Sequence, residues 1–104
     1  MADRRLQVFS TVARLLSFTK AAEALHMTQP AVTFQIRQLE DYFNTRLFDR
    51  THNRISLTTA GHLVKDYSGQ IISLYSEMDN EVRKLTGAVL GPLVLGASTT
   101  IGEY

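Results

Sequence analysis

The stretch SFTKAAEALHMTQPAVTFQIRQLE, from Ser17 to Glu40, holds two short apolar-periodic runs separated by a polar turn. Ser17 offers an oxygen to cap a helix over about Thr19–His26, and Phe18 can pack back on the residues before it. Ala21, Ala22, Ala24 and Leu25 line that helix. Alanine loses no side-chain entropy and lets a second backbone come close. So short a helix is not stable in water alone, so tertiary packing has to hold it. His26, Met27 and Thr28 form the turn. Thr28 caps a further helix running to about Tyr42, with Pro30 in a first turn where a missing N–H costs no hydrogen bond. Val32, Ile36, Leu39 and Phe43 face inward at helical spacing, while Thr33, Phe34, Arg37, Gln38 and Asp41 fall on the other side. Asn44 suits a left-handed C-cap.

Outward from this stretch the pattern continues. Leu6, Phe9, Ala13 and Leu16, with Val12 beside them, predict a helix from about Arg4 to Leu16. After the central run, RLFDRTHNRISLT (Arg46–Thr58) predicts a hairpin. Leu47 and Phe48 are apolar, Ile55 and Leu57 alternate with Ser56, and Thr51 to Arg54 form the loop. Thr58 or Thr59 then caps a long helix reaching about Thr86. Ala60, Val64, Tyr67, Ile71, Leu74, Met78 and Leu85 follow the three-four alternation of a coiled-coil seam, interrupted at Glu81 and widened by Leu63, Tyr75 and Val82. Such a helix is roughly 40–45 Å long, too long for the preceding head to cover its apolar stripe. A second copy of the same helix is the economical partner. Gly87 ends it. GPLVLGAS then predicts a strand at Leu93-Val94-Leu95 and a helix beginning at Ser98-Thr99-Thr100, and the chain reads as cut at Glu103-Tyr104 rather than finished.

Composition narrows the function. At 104 residues and 44% hydrophobic content, the chain suits one small domain with an appendage. Without cysteine, disulfides, thiolate metal sites and cysteine nucleophiles are excluded. No signal-like run and no stretch of about 20 apolar residues is present, so a cytoplasmic protein without membrane association is the simplest expectation. Net charge is only +1. The basic residues Arg4, Arg5, Arg14, Lys20, Arg37, Arg46, Arg50 and Arg54 nevertheless outnumber the acidic ones before Ile55, and the balance reverses after it. A basic head suits an anionic surface. His26, His52 and His62 lack metal-site spacing, and Asp66, Glu77 and Asp79 read as polar flanks of a helix. No acid–base pair or activated nucleophile stands out, so the expectation is binding, without an enzyme's chemistry, metal or cofactor.

Two helices packed across a short turn form a helix-turn-helix. The second can enter a DNA major groove, and a hairpin carrying Arg50 and Arg54 can lie beside it as a wing on phosphate oxygens. A dimeric scaffold that uses the same helices to bind a protein is the competing reading.

The central run, together with Leu6, Phe9, RLFDR (Arg46–Arg50) and LTTAG (Leu57–Gly61), closely resembles the N-terminal part of LysR-type transcriptional regulators. The resemblance extends from Leu6 to Tyr104, since the long helix and GPLVLGAS fall where that family has its linker helix and the first strand of its effector domain. It implies a mainly α fold. Residues 1–58 would form a winged helix-turn-helix, 59–88 a linker or dimerisation helix, and 89–104 the start of a truncated α/β effector-binding domain. It also implies a double-stranded, dyad-symmetric DNA partner, a homodimer or tetramer, a small-molecule effector and RNA polymerase as a further partner.

Within that frame Gln29 is a base-reading candidate, since an amide pairs bidentately with adenine. Thr33 stands where the family has serine and can reach a base edge or phosphate. Ser17, Lys20, Thr28, Pro30, Arg37, Gln38, Arg50 and Arg54 complete the candidate surface, with Arg4 and Arg5 on the backbone as the head docks. Phe34 departs from the family, which often has a basic or polar residue there. A thymine methyl, deoxyribose or the wing are its alternative contacts. Ser98, Thr99 and Thr100 match hydroxyls that help bind the effector.

Overall fold

The computed structural model describes residues 4–87. The strand expected at Leu93–Leu95 and the effector candidates Ser98, Thr99 and Thr100 lie outside the described residues. In chain order the elements are α1 (Arg4–Leu15), α2 (Phe18–Leu25), α3 (Gln29–Phe43), β1 (Phe48–Thr51), β2 (Arg54–Leu57) and α4 (Thr59–Thr86). The described residues up to Ile72 form one compact unit, the head, and those from Ser73 belong to a second.

Each boundary in the head has a local cause. Leu16 takes a left-handed backbone (φ 51°), which stops α1 one residue short of the expected end; its N–H still reaches the Val12 carbonyl at 2.7 Å. The Ser17 side chain then accepts the Lys20 N–H, so Ser17 is the N-cap and α2 begins at Phe18. His26 in turn ends α2 in the left-handed region (φ 56°). Thr28 accepts the Ala31 N–H at 3.2 Å and caps α3, with Pro30 in the first turn, and Asn44 closes it with φ 56°.

The core is built from Val8, Phe9, Val12, Phe18, Ala21, Val32, Ile36, Leu39, Leu47 and Phe48, all buried. Phe48 ties the layers together: its ring lies 5.2 Å from Phe9 and 5.8 Å, edge-on, from Phe18. Val8, absent from the expected apolar face, is fully buried. Three expected core positions are corrected. Leu16 is turned out by its left-handed backbone, and Ala24 faces solvent on α2. Phe43 is also 44% exposed at the last turn of α3.

Strands β1 and β2 pair antiparallel with Phe48 opposite Leu57 and Thr51 opposite Arg54. Pairing takes in Thr51 and Arg54, so the turn is only His52-Asn53, both at positive φ (54° and 60°). This is the geometry of a two-residue type I′ hairpin, whose twist matches that of the strands.

The hairpin joins α4 through Thr58. Its hydroxyl donates to the Arg46 carbonyl at 2.7 Å and accepts the Gly61 N–H at 3.0 Å, and its own N–H reaches the Leu47 carbonyl at 3.0 Å. One residue therefore closes the wing and caps the long helix. Within the head, Ala60 and Val64, expected in the pairing seam, pack against the head's own core, while Leu63, Tyr67 and Ile71 are exposed. In the second unit Leu74, Met78, Val82 and Leu85 are exposed along α4, and Gly87, with φ 75°, follows its end.

Candidate nucleic-acid interface

Two polar grooves flank the start and the inner edge of α3. The first, of about 680 Å³, is lined by Ser17 and Thr19 at the start of α2, Gln29 at the start of α3, and Arg50, Asn53 and Arg54 from the hairpin. Residues at two helix N-termini and two guanidinium groups thus border one space, an arrangement suited to phosphate oxygens. The second, of about 330 Å³, lies between α3 and β1 and is lined by Thr33, Arg37, Arg46 and Arg50 over a floor of Phe18, Ile36 and Phe48. Arg50 borders both.

Arg50 is positioned, not merely present. Its guanidinium carbon sits 4.3 Å from the centroid of the Phe18 ring. A cation over an aromatic face is worth about 0.5–1 kcal/mol at an exposed site and narrows the rotamers an arginine samples. Phe18 is itself held edge-on by Phe48, so the core aims this guanidinium. Gln29 donates from Nε2 to Thr33 Oγ1 at 3.0 Å, which leaves its amide oxygen and second amide hydrogen for other partners.

Of the other sequence candidates, Pro30, Phe34, Arg37 and Gln38 are exposed along the outward side of α3. Thr28 and Lys20 are exposed at the starts of α3 and α2. Arg4, in contact with the Gln7 side chain at 3.5 Å, and the half-buried Arg5 lie in the first turn of α1 and line neither groove.

Glu40 is the residue that sequence reasoning passed over. Its Oε2 accepts the backbone N–H groups of Leu47 (2.8 Å) and Phe48 (3.4 Å) and lies 3.7 Å from Arg46 Nε. One carboxylate from α3 thereby fixes where the wing begins. Its signal was available: Glu40 falls one turn beyond Ile36 on the core stripe, where a carboxylate has to find donors. The Glu40 side chain is 15% exposed and that of Arg46 is 70% exposed, so the amide bonds outweigh the ion pair. Glu40→Ala is expected to lower stability by about 1–3 kcal/mol in urea unfolding, with Arg46→Ala costing under about 1 kcal/mol. Equal losses would show that the ion pair carries the joint.

On the head's other side an apolar groove of about 390 Å³ is lined by Leu6, Phe43, Leu47, Leu63, Tyr67 and Ile71. It accounts for Phe43, which points into this groove instead of the core. Among the described residues no group of three or more His, Cys, Asp or Glu is placed to hold a metal ion, and no helix is long and apolar enough to cross a membrane.

The fold and grooves define a winged helix-turn-helix head continued by a long helix. The family model for bacterial regulatory helix-turn-helix proteins of the lysR family matches residues 4–62, and the chain belongs to that family. It is 42% identical over 101 residues to the RuBisCO operon transcriptional regulator of Allochromatium vinosum, covering 97% of this chain and 33% of that protein. It is 43% identical over 100 residues to a probable RuBisCO transcriptional regulator of Cyanophora paradoxa, covering 96% and 31%. The chain thus spans about a third of the length of these relatives.

Among solved structures, the LysR family transcriptional regulator CbnR superposes with a TM-score of 0.77 at 32% identity, over 83% of this chain and 30% of that one. The BenM_DBD/catB site 1 DNA complex gives 0.77 at 30% identity, over 82% and 94%. The match to these folds supports the mainly α, winged architecture expected from the resemblance.

Proposed function

We propose that this chain is the DNA-binding and pairing part of a transcriptional regulator that acts on specific double-stranded sites. α3 enters the major groove with its outward side, and the hairpin wing lays Arg50 and Arg54 on the backbone. Two heads, carried by paired α4 helices in a symmetric dimer or tetramer, meet the halves of a dyad-symmetric site. The observation that carries this reading is the first groove, where Ser17, Gln29, Arg50 and Arg54, far apart in sequence, converge beside two helix N-termini. The solved DNA complexes of BenM_DBD and CbnR_DBD, at 30% and 34% identity, support it over the protein-scaffold alternative.

The division of labour is residues 1–58 for DNA, 59–88 for pairing, and 89–104 as the start of an effector-binding domain. A second α4 covers the exposed Leu63, Tyr67, Ile71, Leu74, Met78 and Leu85 together with the apolar groove at Phe43. Ser98, Thr99 and Thr100 belong to the pocket of a small-molecule effector, whose binding changes the spacing of the heads and hence contact with RNA polymerase, as activator or repressor. The chemistry is binding in the cytoplasm, with no catalytic step and no cofactor.

Selection from random duplex DNA, followed by sizing of the complex, tests this. The expected product is a dyad-symmetric site bound by an even number of chains. Failure to enrich any duplex, with tight capture of a protein instead, would favour the scaffold.

Arg50→Ala is expected to weaken binding to all duplexes about equally. It should also flatten the dependence of log affinity on log salt by about 0.9 for each phosphate that is no longer neutralised. The same drop in affinity at every salt concentration would confine Arg50 to packing on Phe18.

A further inference from the structure

Phe34 is 58% exposed on α3. At 100° per residue it stands roughly 170° around the helix from the mean direction of the buried Val32, Ile36 and Leu39. Together with Asp41, two turns further on and also exposed, it is the α3 side chain aimed most directly away from the core. Its neighbours one turn away, Pro30, Arg37 and Gln38, are all exposed, and Arg37 also lines the groove that holds Arg50. Tyr42 and Phe43, the other exposed large apolar residues of α3, sit in its last turn and on different sides. A single phenyl rimmed by a guanidinium and an amide is a poor protein-docking patch, which needs a broad apolar centre. It is well matched to a polyanion that offers one apolar group.

Resting on the DNA-binding reading above, we infer that Phe34 selects thymine by packing its ring on the 5-methyl group. With α3 in the major groove, the residue opposite the core meets the groove floor. The purine N7 and O6 and the amino and O4 groups of the floor are hydrogen-bond donors or acceptors; the thymine methyl is its protruding apolar group. A phenyl ring laid over a carbonyl, ring nitrogen or amino group removes water without replacing its hydrogen bonds, which is unfavourable. Over the methyl it removes only apolar surface. Phe34 thus favours thymine at its position and disfavours cytosine, which lacks the methyl and presents an amino donor where thymine has a carbonyl.

The test uses the 104-residue chain and a duplex selected from the random pool. Each thymine is replaced in turn by deoxyuridine, which deletes the 5-methyl and leaves the base pair intact. At one thymine per half-site the wild-type chain is expected to lose about fourfold in affinity, the worth of one buried methyl. Phe34→Ala, at an exposed helical position, keeps the fold. It should bind the thymine duplex about as weakly as the wild type binds a duplex with uridine at that position in both half-sites, with no further loss on uridine.

Specific binding in which no uridine matters, or in which Phe34→Ala shows the same uridine sensitivity as wild type, would overturn the inference and leave the DNA-binding reading standing. Failure to select any duplex would overturn both.

Discussion

Gly61→Ala is expected to destabilise the head by on the order of 3 kcal/mol, at the upper end of what overpacking a tight interior costs. A Cβ built on Gly61 would overlap the Leu47 carbonyl oxygen and come within 3.0 Å of Leu57 Cδ2. The first obstacle is backbone and cannot rotate away. That carbonyl is also the acceptor of the Thr58 N–H, and Gly61 itself donates to Thr58 Oγ1. Moving Leu47 therefore strains the bonds that join wing and helix, while Leu47 and Phe48 are anchored from the other side by Glu40.

Gly69→Ala provides the contrast, because nothing lies within 4 Å of a Cβ there. In the interior of α4 it should gain roughly 0.5–1 kcal/mol from helix propensity. Urea unfolding of the two variants should shift in opposite directions. A Gly61→Ala chain as stable as wild type would mean that the first turn of α4 swings clear of Leu47 at little cost.

The same joint shows what a linear pattern can and cannot carry. The helix-turn-helix was legible because its signals are local. The Ser17 and Thr28 caps, Pro30, Asn44 and the Val32–Ile36–Leu39 stripe all act within a few residues of where they sit. The hairpin was legible from the alternation around Ile55, although its turn proved tighter because His52 and Asn53 both accept a left-handed backbone. What stayed hidden depends on pairs distant in sequence: Gly61 on the Leu47 carbonyl, Glu40 on the Leu47 and Phe48 amides, Arg50 over Phe18. LTTAG could be recognised as a motif without revealing that its threonine binds the wing and its glycine makes room for it.

Periodicity also merges faces that packing separates. Ala60 and Val64 continue the spacing of Tyr67 and Ile71, so the sequence reads one stripe, yet the first two pack on the head and the latter two are exposed. Phe43 fails in the opposite sense. It keeps the period of the α3 core but, at the last turn, passes beyond it into the apolar groove.

Leu74→Asp is expected to convert the proposed dimer to a monomer and to cut affinity for a dyad-symmetric duplex by about a hundredfold or more. Leu74 is 63% exposed on the single chain, so the substitution removes little of the chain's own packing and leaves each head folded. In a helix pair, however, an aspartate would be buried in an apolar seam, where an unpaired carboxylate is strongly unfavourable. Once the heads separate, each half-site binds alone. The second binding event then loses its effective concentration, a factor that commonly reaches about 10²–10⁴.

Ser76→Asp places the same charge two residues away, roughly on the opposite side of α4, at an exposed position. It should leave both assembly and DNA binding near wild type. Sedimentation of each variant reports subunit count, and titration of a whole site against an isolated half-site separates loss of pairing from damage to the head. For Leu74→Asp the half-site affinity should be unchanged while the advantage of the whole site disappears. A variant that remains dimeric would place the pairing surface elsewhere on the chain, and a fall in half-site affinity would tie α4 directly to the fold of the head.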